Sequence, residues 1–403
     1  MQARKRKGPA DTNVTEAGEE GKKEKGTGDW RKPSNTPFKQ QRLRAWHPLF
    51  VPRTVIPALL VVGIILAPIG ILLIWGSNLV NEIDIDYSNC EFTPAQNDTS
   101  SSSLSFTNLS SSSYIYKLSV VNSHTHVDSP QYAFINRTGA LDATNATKQQ
   151  CVLRFDVPTE IKAPVMLYYK LTNFNQNHRR YVKSVSLDQL LGKKPSDTSL
   201  LNDCKPLDKD NNHKVIYPCG MIANSMFNDT FTNLTRIDGD ESSNPPLNST
   251  YLWSEKNIAW PGEARKYVTK PGYAASDIVP PPFWMERFPD GYTDDNLPDL
   301  KSDEHFQNWM RTAGLPTFSK LWGRNDDSAL SPGRYEIWIN LNFPVTKYKG
   351  TKSIVISSAA WMGGKNPFLG WTYVAGSSLL LLLGFVVAII NCIKPRFVFH
   401  MCT

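Results

Sequence analysis

Two long apolar runs, residues 54–75 and 371–393, constrain this chain more than any other feature, because neither contains a charged side chain. At about 1.5 Å per residue, each run reaches roughly 33 Å as a helix, enough to cross a hydrocarbon core of about 30 Å. The first run starts too far along the chain, and is too long, for the apolar part of a signal peptide. We therefore predict two transmembrane helices. Small residues in them, at Gly63, Gly70 and Gly384, allow a neighbouring helix to approach closely.

Basic residues are concentrated outside these two runs. Residues 1–53 hold 13 Lys/Arg and 6 Asp/Glu, and residues 394–403 hold two more basic residues and no acid. Of the net charge of +7 of the whole chain, residues 54–393 therefore carry −2. The positive-inside rule then predicts that both termini are cytosolic. Residues 76–370 are expected to form the exoplasmic domain of an integral membrane protein of the secretory pathway, in the endoplasmic reticulum, the Golgi/endosome system or the plasma membrane.

The predicted cytosolic parts differ in composition. Residues 1–36 are polar with almost no apolar anchor, which predicts a disordered tail, and residues 394–403 form a second, short tail. Residues 37–53 interleave cations with aromatic rings, as is typical of a juxtamembrane segment at headgroup depth. This segment either simply flanks the membrane helix or docks onto lipid or a partner. The residues expected to make docking contacts are Arg42, Arg44 and Trp46.

Glycosylation and disulfide signals fall between the two runs and agree with an exoplasmic location. Seven N-x-S/T sequons in this region are expected to carry glycans, at Asn97, Asn108, Asn136, Asn145, Asn228, Asn233 and Asn248. Four of the six cysteines also lie there and are expected to form disulfides: Cys90, Cys151, Cys204 and Cys219. Four cysteines allow three pairings, which the sequence alone does not separate. We favour the sequential pairing, Cys90 with Cys151 and Cys204 with Cys219.

Short runs rich in aromatic and β-branched residues, such as residues 151–157 and 334–343, are bounded by Pro, Asn or Gly between the two apolar runs. This pattern is typical of β-strands. One helix is predicted at residues 302–313, with Ser302 or Asp303 as its N-cap. The predicted fold is a two-pass membrane protein with a mainly antiparallel β, sandwich-like exoplasmic domain that has helical insertions. Large aromatic rings are expected in its core, among them Trp253, Trp260, Trp284, Trp309 and Trp322.

The chain lacks the residue patterns of common catalytic sites. Its seven histidines are scattered, and no G-x-S-x-G motif, H-E-x-x-H motif or Walker-type phosphate loop occurs. His124 and His126 can share one face of a strand, but no Cys or His at metal-ligand spacing accompanies them. We expect a non-enzymatic protein without a catalytic site, metal site or cofactor.

The stretch NFNQNHRRYVKS, residues 173–184, is of a kind that binds nucleic acid or phosphate in soluble proteins. In an exoplasmic domain it does not meet nucleic acid, so we expect no nucleic-acid partner. Two alternatives remain: the cations pair with acids of the same domain and stack on Tyr181, Tyr168 or Tyr169, or they contact exoplasmic loops of a partner protein. The residues of the partner hypothesis are His178, Arg179, Arg180 and Lys183.

Six segments, in chain order, are NTPFKQQRLRAWHP, YYKLTNFNQNHRRYVKS, PCGMIANSMFNDTF, NIAWPGE, FQNWMRTAGLPTFSKLWGR and GTKSIVISSAAWMGGKNPFLG. Together they resemble the non-catalytic β-subunits of type-IV P-type ATPases, the lipid flippases, a family that includes the fungal ligand-effect modulator and cell-division-control proteins. The resemblance covers nearly the whole chain from Asn35 onward. It implies a heterodimer with a catalytic α-subunit that moves aminophospholipid or phosphatidylcholine to the cytosolic leaflet. The β-subunit would be required for the folding, endoplasmic reticulum exit and activity of that catalytic subunit.

A second function class shares the same topology. Trimeric two-helix ligand-gated channels also have cytosolic termini and a large glycosylated, disulfide-bonded ectodomain. Such channels usually have more ectodomain disulfides and polar faces on their pore-lining helices, whereas this chain has four ectodomain cysteines and uncharged spans. These features favour the accessory subunit, with a catalytic α-subunit and membrane lipids as its partners.

Overall fold

The chain is seen in a computed structural model that describes residues 36–38, 41, 51–96, 104–119, 127–138, 144, 147–194, 202–238, 248–358 and 365–394. Residues 56–396 form one compact unit. The other unit, residues 1–55 and 397–403, is described only at residues 36–38, 41 and 51–55. Several sequence predictions fall outside the described residues: most of both tails, the docking residues Arg42, Arg44 and Trp46, and the sequons at Asn97 and Asn145.

The described helices and strands follow the chain in this order. The helices are α1 (Pro52–Asn78), α2 (Arg179–Lys183), α3 (Leu187–Leu190), α4 (Met221–Asn224), α5 (Glu304–Met310) and α6 (Phe368–Ile393). The strands are β1 (Glu82–Asp86), β2 (Ala95–Gln96), β3 (Thr107–Asn108), β4 (Tyr114–Lys117), β5 (Gln131–Asn136), β6 (Gln149–Val157), β7 (Val165–Leu171), β8 (Val215–Ile216), β9 (Thr230–Phe231), β10 (Leu234–Arg236), β11 (Thr250–Tyr251), β12 (Ile278–Val279), β13 (Phe318–Asn325), β14 (Gly333–Asn340) and β15 (Lys352–Ser358).

The two long helices, α1 and α6, coincide with the two apolar runs. Both are long and apolar enough to cross a membrane, with 27 and 26 residues and mean hydropathies of 2.8 and 2.4 in their most apolar windows. Each helix begins slightly before the predicted span, and α1 also continues to Asn78. The prediction of a two-pass membrane protein is confirmed.

Helices α1 and α6 pack against each other along a seam of small residues spaced seven apart. The buried residues include Gly63 and Gly70 in α1, and Gly370, Ser377 and Gly384 in α6. The hydroxyl group of Ser377 donates a 2.8 Å hydrogen bond to the carbonyl oxygen of Gly63. A seven-residue spacing keeps one face of each helix toward its neighbour, and small side chains let the backbones approach closely. The helix that the small residues accommodate is therefore the chain's own second span.

Two β-sheets make up the domain between the helices. The first has the strand order β13-β7-β15-β1-β4, and the second has the order β11-β10-β14-β6-β5-β2, with β3 beside β5 and β9 beside β14. Strands β2 and β5 are parallel, as are β8 and β12 in a separate small pair. The long strands pair antiparallel throughout both sheets. The prediction of a mainly antiparallel β domain is confirmed.

One hydrophobic core contains buried side chains from both sheets. It includes Ile83 and Leu167 from the first sheet and Leu153 and Ile337 from the second, each at most 1% exposed. Because both sheets contribute apolar faces to the same core, the domain is a β-sandwich. A second, smaller core, rich in aromatic rings and containing Trp284, lies among the helices and turns inserted between β7 and β13.

Neighbouring strands of the first sheet lead to the two spans. Strand β1 follows α1 and strand β15 precedes α6, and these strands pair antiparallel with Glu82 opposite Ser357. The Ser358 amide donates a 3.0 Å hydrogen bond to the carbonyl oxygen of Asn81. The Asn81 side chain accepts a 2.7 Å hydrogen bond from the Ser119 amide. This pairing holds the two polypeptide connections to the membrane side by side.

Each disulfide fixes a different part of the domain. Cys90, in a 3-10 turn after β1, is bonded to Cys151 in β6, so this bridge links the two sheets. Cys204 is bonded to Cys219 within the insertion that contains α4. The pairing in the structure is the sequential one that we favoured. Cys392, near the end of α6, is an exposed free thiol.

Replacing Gly370 tests the helix seam. A β-carbon at Gly370 would lie 2.6 Å from Ile74 Cγ1 and 2.9 Å from the Ile74 backbone nitrogen, whereas one at Gly376 meets no atom within 4 Å. We expect Gly370→Val to destabilise the purified full-length chain by about 1–3 kcal/mol, as overpacking does. Gly376→Val is the matched control and should leave the thermal midpoint in detergent nearly unchanged. Equal midpoints for the two variants would contradict the seam.

Candidate partner-binding site

Three cations and one histidine of the predicted partner-contact stretch lie together at one exposed position of the domain. Helix α2 begins at Arg179 and ends at Lys183, with His178 as its N-cap residue, and all of its cationic side chains are exposed. Among the residues that the structure describes, no salt bridge involves His178, Arg179, Arg180 or Lys183. The alternative that these cations pair with acids of their own domain therefore finds no support in the described part of the chain.

Two amide side chains of the same stretch fix its position, one of them buried and the other exposed. The side-chain oxygen of the fully buried Gln176 accepts a 2.8 Å hydrogen bond from the Ala313 amide. The side-chain nitrogen of Asn177 donates a 2.9 Å hydrogen bond to the carbonyl oxygen of Gly314. These contacts join the stretch to the loop after α5. The cations are thus carried on an ordered surface rather than on a free loop.

Aromatic residues of the stretch anchor it in the core. The Phe174 ring centroid lies 5.9 Å from that of Tyr181 and 5.6 Å from that of Trp309, both in edge-to-face geometry. The Tyr181 hydroxyl is 2.8 Å from the Ser225 hydroxyl of the segment after α4. Burial raises the pKa of Tyr181 to about 12, so this hydroxyl remains protonated at physiological pH. The aromatic side chains therefore hold α2 against the helical insertion.

A buried ion pair lies between the two sheets. The ammonium group of Lys352, in β15, is 2.7 Å from the carboxylate of Asp229, and the two side chains are 5% and 0% exposed. The other carboxylate oxygen accepts 2.6 Å hydrogen bonds from the amides of Asn342 and Phe343. The Tyr87 hydroxyl donates a 3.0 Å hydrogen bond to the carboxylate oxygen that contacts Lys352.

The Lys352 side of this ion pair is satisfied as well. Its ammonium group also donates a 2.8 Å hydrogen bond to the carbonyl oxygen of Phe343 and lies 5.3 Å from the centroid of the Tyr87 ring. A buried pair of charges is tolerated when hydrogen bonds satisfy its remaining donors and acceptors. Asp229 and Lys352 thus connect β9, the end of β14 and β15 through one polar network.

Lys320 is a second buried cation, and it completes the C-terminal end of helix α5. The helix is shorter than the predicted span of residues 302–313, and Asp303 is its N-cap, accepting a 2.9 Å hydrogen bond from the Phe306 amide. After Met310 the backbone becomes extended, and Lys320 donates to the carbonyl oxygens of Asn308 and Arg311. The side chain thereby satisfies carbonyl groups that the end of the helix leaves without intrahelical partners.

Four of the five tryptophans predicted to lie in the core are buried: Trp253, Trp284, Trp309 and Trp322. The prediction is wrong for Trp260, which is 62% exposed. The guanidinium carbon of Arg311 lies 4.4 Å from its ring centroid. The loop that carries Trp260 is fixed by Glu304, which accepts hydrogen bonds from two loop amides. Hydrogen bonding of the loop backbone, which hydropathy does not reveal, keeps this ring at the surface.

The described sequons differ in exposure. Asn108 and Asn248 are exposed, whereas Asn136, Asn228 and Asn233 are half-buried. No group of three His, Cys, Asp or Glu side chains suited to a metal ion occurs in the described part of the chain. His124 and His126 lie outside it.

Comparison with known proteins places these features in a family. Residues 73–397 match the family described as the LEM3 (ligand-effect modulator 3) family / CDC50 family. The chain belongs to the LEM3/CDC50 family. The match runs from the last turns of α1 to beyond the end of α6, and thus includes the β-sandwich, helix α2 and the Asp229–Lys352 pair.

Similar proteins of this family occur in yeast and in mammals. The chain is 41% identical over 370 residues to "Phospholipid-transporting ATPase accessory subunit CRF1" of Saccharomyces cerevisiae, which covers 91% of this chain and 86% of that protein. It is 36% identical over 367 residues to "Phospholipid-transporting ATPase accessory subunit LEM3" of the same yeast, covering 89% and 83%. It is 35% identical over 378 residues to "Cell cycle control protein 50A" of Mus musculus, covering 91% of both chains.

Removing the Asp229 carboxylate tests the buried network. We expect Asp229→Asn to destabilise the full-length chain by about 3–5 kcal/mol, because it leaves the Lys352 charge buried without a counter-charge. Asp188→Asn is the matched control: it breaks the Lys193–Asp188 pair, which has a similar separation of 2.8 Å but side chains 67% and 51% exposed. That change should cost less than about 1 kcal/mol. Denaturant unfolding of both variants measures the free energies of unfolding. An equal decrease in the two variants would contradict the larger contribution that we assign to the buried ion pair.

Lys320 generates a prediction for pH dependence. Burial, with the nearby Arg311 charge as a smaller cause, lowers the pKa of Lys320 to about 8. In the unfolded chain the pKa of a lysine is about 10.4. Between the folded and unfolded pKa values the unfolded state therefore binds more protons than the folded state, and the free energy of unfolding rises with pH. We expect the thermal midpoint of the unmodified protein to rise, relative to that of Lys320→Met, between about pH 7.5 and 9.5. A constant difference over this range would contradict the lowered pKa.

Proposed function

We propose that this chain is the accessory, non-catalytic subunit of a phospholipid-translocating P-type ATPase. The observation that carries the proposal is the similarity, across about nine-tenths of the chain, to proteins named as accessory subunits of phospholipid-transporting ATPases. The catalytic α-subunit is then the partner, and the accessory chain supports its folding, its exit from the endoplasmic reticulum and its activity. The relatives give no corresponding support to the alternative of a trimeric ligand-gated channel.

The two-span architecture suits an accessory role. Helices α1 and α6 bury their small-residue faces against each other and expose large apolar side chains, including Ile64, Leu72, Phe385 and Ile389. These outward faces are suited to lipid and to helices of a larger membrane protein. The partner supplies the transport path and the ATP hydrolysis, because the apolar runs of these helices, residues 54–75 and 371–393, have no charged side chain and offer no polar pathway for a phospholipid headgroup.

The orientation in the membrane is part of the proposal. The charge excess of residues 1–53 supports cytosolic termini and an exoplasmic β-sandwich. Two disulfides and the exposed sequons Asn108 and Asn248 agree with an oxidising, glycosylating compartment. The protein would then reside in membranes of the secretory pathway, in the endoplasmic reticulum, the Golgi/endosome system or the plasma membrane.

The basic surface on α2 is proposed to contact exoplasmic loops of the catalytic subunit close to where lipid is taken up. This hypothesis is supported by the exposure of His178, Arg179, Arg180 and Lys183 and by the ordered surface that carries them. Positive charge on a pre-formed surface increases the rate of association with an acidic partner. On the other side of the membrane, Arg42, Arg44 and Trp46 are proposed to bind the inner leaflet or the same partner.

Purification from a native membrane tests the proposed function. The full-length chain, affinity-purified in mild detergent, is expected to bring down a much larger membrane protein at equal stoichiometry. The complex should hydrolyse ATP in response to phospholipid, and the accessory chain alone should not. A homotrimer without a large companion would contradict the accessory role and support the channel alternative.

A double substitution tests the role of α2. Arg179→Ala with Arg180→Ala is expected to reduce the amount of copurified catalytic subunit several-fold, because it removes two exposed cations without removing any described hydrogen bond. Lys256→Ala with Lys270→Ala, which removes two other exposed cations of the same domain, is the matched control and should assemble normally. Normal assembly and normal lipid uptake by the Arg179/Arg180 variant would rule out the docking role.

A further inference from the structure

Two adjoining cavities open beside the segment FNDTF. The larger has a volume of about 660 Å³ and the smaller about 470 Å³. Five residues line both cavities and so form the wall between them: Met226, Asn228, Phe283, Glu286 and Asn342. A sequon asparagine therefore lies at the boundary of two spaces that are each large enough for a bound organic group.

Asn228 is held in this wall rather than extended into solvent. Asp229, the next residue, is fully buried in the ion pair with Lys352, and the carbonyl oxygen of Asn228 accepts a 3.2 Å hydrogen bond from the Asn342 side chain. The side-chain oxygen Oδ1 of Asn228 is buried and has no hydrogen-bond partner among the described residues. A buried polar atom without a partner is uncommon in folded proteins and indicates a group that is not yet accounted for.

The larger cavity is lined by side chains of the kinds that bind sugars in proteins. Trp284 and Trp322 contribute aromatic rings, and Glu255, His305 and Arg287 contribute hydrogen-bonding groups. His305 Nε2 lies 3.2 Å from a Glu255 carboxylate oxygen. Aromatic faces pack against the apolar faces of pyranose rings, while carboxylates, imidazole and guanidinium bind hydroxyl and acetamido groups.

The smaller cavity has a different character. Its lining combines apolar groups such as Phe174 and Phe343 with amides such as Asn173, but no indole ring lines it, and Glu286 is the one charged side chain among its described lining residues. The larger cavity adds two indole rings and the charged groups of Glu255, Asp303 and Arg287, so it offers a pyranose ring more stacking surface and more charge-assisted hydrogen bonds. The chemistry of the two linings therefore favours the larger cavity for a carbohydrate.

We infer that the innermost N-acetylglucosamine residues of an N-linked glycan on Asn228 occupy the larger cavity as a built-in ligand of the domain. The inference rests on the exoplasmic location in the proposed function. The covalent bond joins Asn228 Nδ2 to C1 of the first sugar; the amide loses one proton, and the pyrophosphate of a lipid-linked oligosaccharide donor leaves C1. The glycan then bridges the FNDTF segment and the insertion at residues 282–289, and it is shielded by both.

Site-resolved deglycosylation tests this inference. The full-length chain, made in a eukaryotic secretory host and kept folded in mild detergent, is treated with peptide-N-glycosidase, and glycan release is measured at each sequon by mass spectrometry. We expect release at the exposed Asn108 and Asn248 to be at least ten times faster than at Asn228. After denaturation, the glycan on Asn228 should be released as fast as the glycans on Asn108 and Asn248. Equal rates in the folded protein, or an unmodified Asn228 beside modified Asn108 and Asn248, would overturn the inference.

Three exposed side chains distinguish between the cavities. Arg287 lines only the larger cavity, Tyr348 lines only the smaller, and Met285 lines neither. Arg287→Ala is expected to increase release at Asn228 several-fold, whereas Tyr348→Ala and Met285→Ala should leave it unchanged. Faster release only in Tyr348→Ala would place the glycan in the smaller cavity and overturn the assignment. Absence of glycans at every sequon would instead contradict the exoplasmic orientation, and with it the proposed function.

Discussion

The arrangement of the β-sandwich depends on the buried ion pair between Asp229 and Lys352. Lys352 begins β15, the strand that leads toward the second span, and Asp229 immediately precedes β9 beside the other sheet. Removing two charges from water costs several kcal/mol each, and their mutual attraction offsets this only when the remaining donors and acceptors are satisfied. Here Tyr87, Phe343 and the neighbouring backbone satisfy them. The pair therefore specifies how the sheets meet, because a displaced sheet would leave a buried charge without its partner.

The position of β15 also determines how the two spans are connected to the domain. Strand β15 pairs with β1 along its length, and the two strands connect to the two spans. The spans in turn approach closely through Gly63, Gly70 and Gly370, where any larger side chain meets backbone or packed side-chain atoms of the other helix. Strand pairing in the β-domain and helix packing between the spans thus both hold the two halves of the chain side by side in an antiparallel arrangement. A catalytic subunit that binds this chain meets a helix pair whose geometry is already set.

Sequence reasoning succeeded where the structural signal is local. The spans follow from uncharged runs longer than a bilayer core, and strands such as β6 and β14 follow from dense aromatic and β-branched residues. It failed where the decisive contact joins distant parts of the chain. Lys352 and Asp229 are 123 residues apart, and each is surrounded by residues that suggest a surface loop or a sequon. The exposure of Trp260 was missed for the same reason, since Glu304 fixes its loop from 45 residues away.

The stretch at residues 173–184 shows how a short segment combines both kinds of information. Its composition correctly indicated a charged surface, but only the fold separates the buried amide of Gln176 and the packed aromatic rings from the cations that remain outside. That separation has an energetic consequence. Ordering a loop on binding costs roughly 0.5–1.5 kcal/mol for each immobilised side chain, whereas here Gln176 and Phe174 have already ordered the backbone before a partner arrives. In the docking role that we propose, the exposed cations would attract an acidic surface over a Debye length of about 8 Å at physiological salt, without a reorganisation of the domain.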